Sequence, residues 1–397
     1  MQRMAGGAQE RIPFNSEVFR WARHRVHGDI EDIARRINVS PDRLAEWESG
    51  ARSPTVKQAR RLADIYDRPF LEFLSKEIPP VPATELVPDF RFHRGGTPGQ
   101  ELADLEEVQR WAEEQRLNAL DLLEIIGDDP PKFPAHLFSS VNDDVEPAAE
   151  KVRDAIQFSI EKQLAIRSDK RDQFPSFLRH KFEEIGVLVL RQNGLTKLRT
   201  RGICLFAEPL PIIVYGGEAP SAQAFTLSHE FAHILLRQSA ISGPPRFGRA
   251  KGLKQIEAWC NRFAAAFLMP KKAIVRDMGG EKPPRDEIGE RELRSLANRY
   301  AVSRHAMLIR LVGLGFVKPA FYWFVKRPEF IKEEEEYTGG GRSKYYGQRY
   351  RSSRGDFYTG LVIEAWNSGR ITNHNAAEFM GIKSLSHLYD IRNHFGD

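Results

Sequence analysis

The sequence predicts an α+β protein, with a helical N-terminal region, a middle region built on a small sheet, and helical C-terminal segments. Three observations carry that reading. Three short β-like runs, 187–190, 202–206 and 211–215, lie close together in the middle of the chain. Two strongly apolar helical stretches, 224–236 and 255–268, follow them, the second stopped by Pro270. On both sides of this block apolar residues recur at helical spacing.

Taken in order, 15–76 reads as several short helices forming one domain. The stretch 77–140 is a linker and connecting helix. Pro79, Pro80, Pro82, Pro88, Gly95, Gly96, Pro98 and Gly99 interrupt regular structure there, and Leu102, Leu105, Val108, Trp111, Ala112 and Leu117 then mark one stripe of a helix over 101–126. The α+β core spans 141–285 and opens with an amphipathic helix near 148–163. A helical part, 286–331, follows it. A charged, glycine-rich stretch, 332–356, reads as a linker before the last helical segment, 357–397.

Composition excludes several classes. The 397 residues are 41% hydrophobic and 28% charged, as in soluble globular proteins. No apolar run reaches the 18 or so residues that a membrane span needs. The first residues lack a signal-peptide pattern, so a cytoplasmic protein with no membrane partner is expected. Cys204 and Cys260 alone cannot build a disulfide scaffold and suit a reducing compartment. Lys plus Arg (59) barely exceed Asp plus Glu (54), so nucleic-acid binding has to be argued from a motif and not from net charge.

His229-Glu230-Phe231-Ala232-His233 is the sharpest chemical signal. Residues four apart on a helix share a face, so both imidazoles can reach one metal ion, while Glu230 can touch metal-bound water without being a ligand. The surrounding Phe225, Leu227, Phe231, Ile234, Leu235 and Leu236 make this helix apolar nearly all round, hence buried. Buried polar groups without partners cost several kcal/mol, and a metal would supply the partners. A hydrolytic zinc site takes three protein ligands and keeps a position for water. The first metal-binding residue type after His233 is Glu257, on the second apolar helix. Asn261, four residues further on, can accept the free N–H of a ligating imidazole and orient its ring. Cys260 is either a soft ligand or a small buried hydrophobe. In this reading Glu230 is the catalytic acid–base, and His229, His233 and Glu257 hold Zn2+.

The segment from Phe225 to Leu236, FTLSHEFAHILL, together with Glu257, Asn261-Arg262-Phe263-Ala264-Ala265 and Leu268-Met269-Pro270, resembles the ImmA/IrrE family of metallopeptidases. The resemblance covers about 148–317. It implies a gluzincin-like core in which Glu257 is the third zinc ligand, with Asn261 matching the family's following Asn. It also implies an endopeptidase that cleaves a transcriptional repressor under stress or on a mobile-element signal. Cys260 stands where the family usually has Ala.

A second motif lies near the start. Ile30, Ile33, Ala34 and Ile37 form one apolar face, and Asn38 stands where a turn needs φ > 0. Ser40 caps the next helix, and Pro41 suits its first turn. With Leu44, Trp47, Ala59, Leu62, Ala63 and Phe70 this is similar to the XRE/Cro-type helix-turn-helix domain, often fused to ImmA/IrrE peptidases. The resemblance implies binding to double-stranded DNA with the helix from Pro41 in the major groove. Asp42 and Arg43 are then base readers and Arg52 and Lys57 phosphate contacts, with Ser40 and Trp47 completing the candidate set. Acidic and basic residues nearly balance over 15–75, so a protein-pairing module is the alternative.

Two further segments have helix-turn-helix shape. In 293–311, Ala301 occupies the turn position, while 376–383 keeps a glycine there, Gly381. Over 342–354, Arg342, Lys344, Arg349, Arg351 and Arg354 alternate with Tyr345, Tyr346 and Tyr350, a composition suited to single-stranded nucleic acid or to a solvated linker. The alternative to proteolysis is a non-proteolytic regulator, antitoxin or defence component that uses the peptidase fold for binding.

Overall fold

The computed structural model describes residues 14–25, 29–66, 68, 70–77, 98–196, 198, 200–242, 251–336 and 345–395. The Pro-rich part of the expected linker, 78–97, and Arg342 and Lys344 lie outside the described residues. The chain divides into two compact units, and all residues from Val108 onward belong to the second.

The first unit holds α1 (Ser16–Arg25), α2 (Ile30–Ile37), α3 (Pro41–Glu48), α4 (Val56–Ile65) and a short helical turn, Phe70–Leu74. Asp29 caps α2, which ends at Asn38 with φ 61°. The Val39 N–H then returns to the Ala34 carbonyl at 3.0 Å, and the Ser40 hydroxyl accepts the Arg43 N–H to start α3. Val18, Phe19, Ile33, Ile37, Leu44, Trp47, Leu62 and Phe73 form the core. Arg23 grips the buried Glu48 carboxylate through two bonds of 2.7 and 2.9 Å.

Helix α5 (Pro98–Ile126) belongs to the second unit from Val108 onward, and α6 (Val145–Ala155), α7 (Ile160–Leu164) and α8 (Phe174–Glu184) follow it there. The sheet and its helices follow as β1 (Leu188–Arg191), β2 (Gly202–Leu205), β3 (Ile212–Tyr215), α9 (Pro220–Leu235), β4 (Ala240–Ser242) and α10 (Lys251–Leu268). Strand order is β1-β3-β2-β4, with β1 parallel to β3 and β2 antiparallel to both neighbours. The three expected strands are buried throughout except at Arg191, which is why they read as unbroken apolar runs. The three-residue β4 is an addition, too short to show an alternating pattern. On the sheet lie α8 and α9, with Phe182 stacked on Phe231 at 4.2 Å between centroids.

Beyond α10 come α11 (Lys271–Asp277), α12 (Glu290–Tyr300) and α13 (Arg304–Gly313). Ala301 adopts φ 55° despite its Cβ, and Ser303 caps α13, so the turn does form. The second helix of this pair is covered: Arg304 pairs with Glu290 and Glu333, and His305 lies 3.0 Å from the Tyr322 hydroxyl. The chain closes with α14 (Arg327–Glu336), α15 (Tyr346–Asn367), α16 (Asn373–Phe379) and α17 (Leu385–Asn393). Among the described residues no helix is long and apolar enough to cross a membrane.

The reading of 332–356 as a linker does not hold for its described residues. α14 extends to Glu336, and α15 begins at Tyr346. The glycines there serve close contact: a Cβ at Gly347 would lie 2.6 Å from the Asp390 carbonyl oxygen. Gly355, with φ 82°, bends α15 directly over the Arg179–Glu183 pair of α8. Tyr350 is buried, Arg354 lies over Trp111 and Tyr350, Tyr346 stacks on His387, and Arg351 pairs with Asp356. Tyr350, Arg351 and Arg354 are thus engaged within the fold, whereas Tyr345 and Arg349 remain exposed near the start of α15.

Arg179 donates to the Ser352 and Ser353 carbonyls at 2.9 and 3.1 Å and faces Glu183 Oε1 at 3.3 Å. Burial pushes the Glu183 carboxyl up to about 7, outweighing the lowering by Arg179. A folded value above the unfolded 4.5 means that folding retains the proton. This contribution to stability is therefore complete below about pH 4.5 and is lost as pH rises through 7. Relative to Glu183→Gln, the wild type should lose unfolding free energy across that window, by no more than about 1.4 kcal/mol per pH unit. Denaturant titrations of both proteins at each pH provide the check, and a difference that grows with pH refutes the assignment.

Candidate metal centre

α9 is buried from Gln223 to Leu235 except at Phe225, so its polar residues face protein on every side. His229 and His233 sit one turn apart with their Nε2 atoms 3.3 Å from each other. From α10, Glu257 brings Oε2 to 3.6 Å from His229 Nε2 and Oε1 to 3.4 Å from His233 Nε2. Ligand atoms about 2.0–2.1 Å from a common tetrahedral centre lie about 3.3–3.4 Å from one another. The observed spacing is therefore that of three donors around one ion, and all three residues are buried. Two nitrogens and a carboxylate suit a borderline cation such as zinc.

Asn261, one turn beyond Glu257, places Oδ1 3.1 Å from His229 Nδ1. Donating Nδ1–H to that amide oxygen leaves the Nε2 lone pair turned into the cluster. Cys260 Sγ lies 3.6 Å from His233 Nδ1, the ring nitrogen turned away from the cluster. Burial, then the charges of Glu257 and Glu230, push the Cys260 thiol far up, so it stays neutral. Its sulfur faces the far side of the His233 ring, beside the imidazole and outside the cluster of His229, His233 and Glu257. Burial alone would raise Glu257, but the two imidazoles hold it well below the usual carboxylate range. Burial alone would lower His229, yet Glu257, with help from Glu230 and Asn261, raises it.

Buried polar groups pin the end of α10. Arg153 donates to the Phe267 carbonyl at 2.7 Å, Gln163 to Leu268 at 2.8 Å, and Arg310 to Met269 at 2.9 Å. Last-turn carbonyls have no partner within their own helix, and two guanidinium groups here also oppose the negative end of the helix dipole. Midway along α10, Trp259 Nε1 donates to the Asp143 carbonyl at 2.9 Å. These bonds fix the helix that carries Glu257 and Asn261. None of Arg153, Gln163 or Arg310 was marked by the sequence, because their partners lie 41 to 114 residues away. Gly202, which the sequence assigns only to a strand, lies against the Glu230 carboxylate. A glycine inside a strand is the one signal that could have flagged it.

In the first unit Ser40, Asp42, Arg43, Arg52 and Lys57 are exposed, with the Ser40 hydroxyl already bonded to the Arg43 N–H. Arg43 and Arg52 converge on Glu46, at 3.3 and 3.5 Å. Trp47 is the correction: at 3% exposure it belongs to the core and cannot face DNA. Its position on the inner side of α3, beside Leu44, is what buries it.

Residues 182–312 match the Peptidase_M78 family, described as the IrrE N-terminal-like domain, and 20–73 match the helix-turn-helix family HTH_3. The chain carries an IrrE/ImmA-like peptidase domain behind a helix-turn-helix domain. None of the curated proteins compared with it matches. The IrrE-like match takes in α9, α10 and α13, so the His-His-Glu cluster lies inside a metallopeptidase-type domain, and α14 to α17 lie beyond it.

Metal-stripped protein should bind one equivalent of zinc tightly. Asn261→Ala should weaken that affinity about 10- to 100-fold, and Glu257→Gln by more. Competition with a chelator at neutral pH measures both; wild-type affinity in Asn261→Ala removes that residue from the role described.

Proposed function

We propose that this protein is a cytoplasmic zinc-dependent endopeptidase that cleaves a repressor-type regulatory protein in response to stress or a mobile-element signal. Its N-terminal domain binds duplex DNA and brings the active site to operator-bound substrate. The observation that carries the reading is the buried cluster of His229, His233 and Glu257, with Glu230 on the same helix as both histidines. Zinc held there would act as a Lewis acid, polarising a peptide carbonyl and acidifying water. Glu230 takes the proton of the attacking water on its carboxylate and returns it to the leaving amine. Asn261 keeps the His229 ring in the tautomer that ligates. The apolar packing around α9 excludes bulk water and so strengthens each of these interactions.

Glu230→Gln separates chemistry from binding. Zinc stoichiometry should be unchanged, while metal-dependent cleavage of the repressor falls about 10²- to 10⁴-fold. If regulatory output in cells is the same for wild type and Glu230→Gln, proteolysis is not the mechanism and the fold serves binding.

For DNA, Arg43 and Arg52 flank Glu46 on the open side of α3, and Lys57 opens α4. A fragment spanning 1–77 should retain its operator, with affinity falling steeply as salt rises. Arg43→Ala should cost about 1–3 kcal/mol on the operator and much less on unrelated DNA. Equal retention of all sequences would leave α3 without a reading role.

A further inference from the structure

Glu230 is fully buried, and what lies against its carboxylate is the backbone of β2. A Cβ added at Gly202 would fall 2.6 Å from Glu230 Cγ and 2.7 Å from Cδ, and closer still to Oε1. Gly202 does not have the left-handed φ that would demand glycine for conformational reasons. Space alone excludes a side chain there. Glycine inside a strand weakens it, so its presence marks a close approach by another group.

The strand itself cannot yield. Gly202 is in register with Tyr215 of β3 on one side and Ser242 of β4 on the other, so ladders hold it from both directions. Cys204, two residues along, faces the same way by strand alternation. Its thiol bonds the Gln238 carbonyl at 3.6 Å, and burial, then the charge of Glu230, keep it neutral. The carboxylate thus rests on a flat, uncharged floor, and a Cβ at position 202 would move the carboxylate and not the strand.

We propose that Gly202 is a positioning residue for Glu230, its missing side chain setting where the general base stands. The inference rests on the peptidase reading for its consequence, though not for the contact itself. The test uses the full chain as wild type, Gly202→Ala, Glu230→Gln and the double variant, each loaded with zinc and titrated with acetohydroxamic acid. That probe gives up a proton as it ligates zinc, and a correctly placed carboxylate takes it. Gly202→Ala and Glu230→Gln should each weaken binding about 10- to 100-fold. Because Gly202 acts through Glu230, the double variant should be no weaker than Glu230→Gln alone. Wild-type affinity in Gly202→Ala, or additive losses in the double variant, overturns the proposal.

A second measurement needs neither metal nor substrate. In metal-free protein Gly202→Ala should lower Tm, and adding Glu230→Ala should restore most of the loss, because the crowding is between these two residues. No restoration overturns the proposal. If the wild type takes up no zinc, the peptidase reading fails while this stability cycle still decides the Gly202–Glu230 contact.

Discussion

Placing two imidazoles and two carboxylates inside an apolar interior constrains everything around them. Such groups are costly to bury without partners, and here the partners arrive from different elements: Glu257 and Asn261 from α10 meet His229 and His233 from α9. The distances involved, 3.1 to 3.6 Å, tolerate little sliding of one helix past the other. The rest of the second unit can be read as the means of holding that register. Aromatic stacking of Phe182 on Phe231 seats α9, while Arg153, Gln163 and Arg310 bind the last carbonyls of α10. Arg310 also pairs with Glu146 of α6, so α13, α6 and α10 are tied at one point.

The region beyond the IrrE-like match repeats this logic with glycine. A stretch rich in Gly, Arg and Tyr has the composition of a flexible connector, and composition alone does not distinguish flexibility from close approach. Gly347 and Gly355 allow backbone to meet the Asp390 carbonyl and the Arg179–Glu183 pair, contacts that any side chain would block. With α15 lodged against α8 and β1, the C-terminal helices are part of the second unit and not an appended tail. The Ser353 hydroxyl bonded to the Arg191 carbonyl, at 2.9 Å, is one of the stitches along the outer strand.

Much of both units was legible before any fold was known. The cap at Ser40 and the left-handed turn at Asn38 follow from short-range chemistry, and each stands where the residues put it. The three strands and both apolar helices appear within a few residues of their expected limits. Ala301 went against local preference: its Cβ disfavours φ 55°, yet Ser303 caps the following helix and Val302 bonds back to Ala297, and together these hold the turn. β4 was missed because three residues carry too little pattern to register.

By itself the sequence determined that His229 and His233 share a face with Glu230 beside them, since helical periodicity makes neighbours of residues four apart whatever else the chain does. It also set which segments are apolar enough to be interior. The sequence also singled out Glu257, but only the tertiary structure decided that its carboxylate reaches both imidazoles, that Cys260 sits behind His233 and outside the cluster, and that Gly202 lies beneath Glu230. It likewise turned Trp47 inward while leaving Arg43 and Arg52 on the surface. The physical reason is range. Caps, turns and helical faces depend on residues within one turn, whereas these contacts join segments tens of residues apart and exist only once the helices have packed.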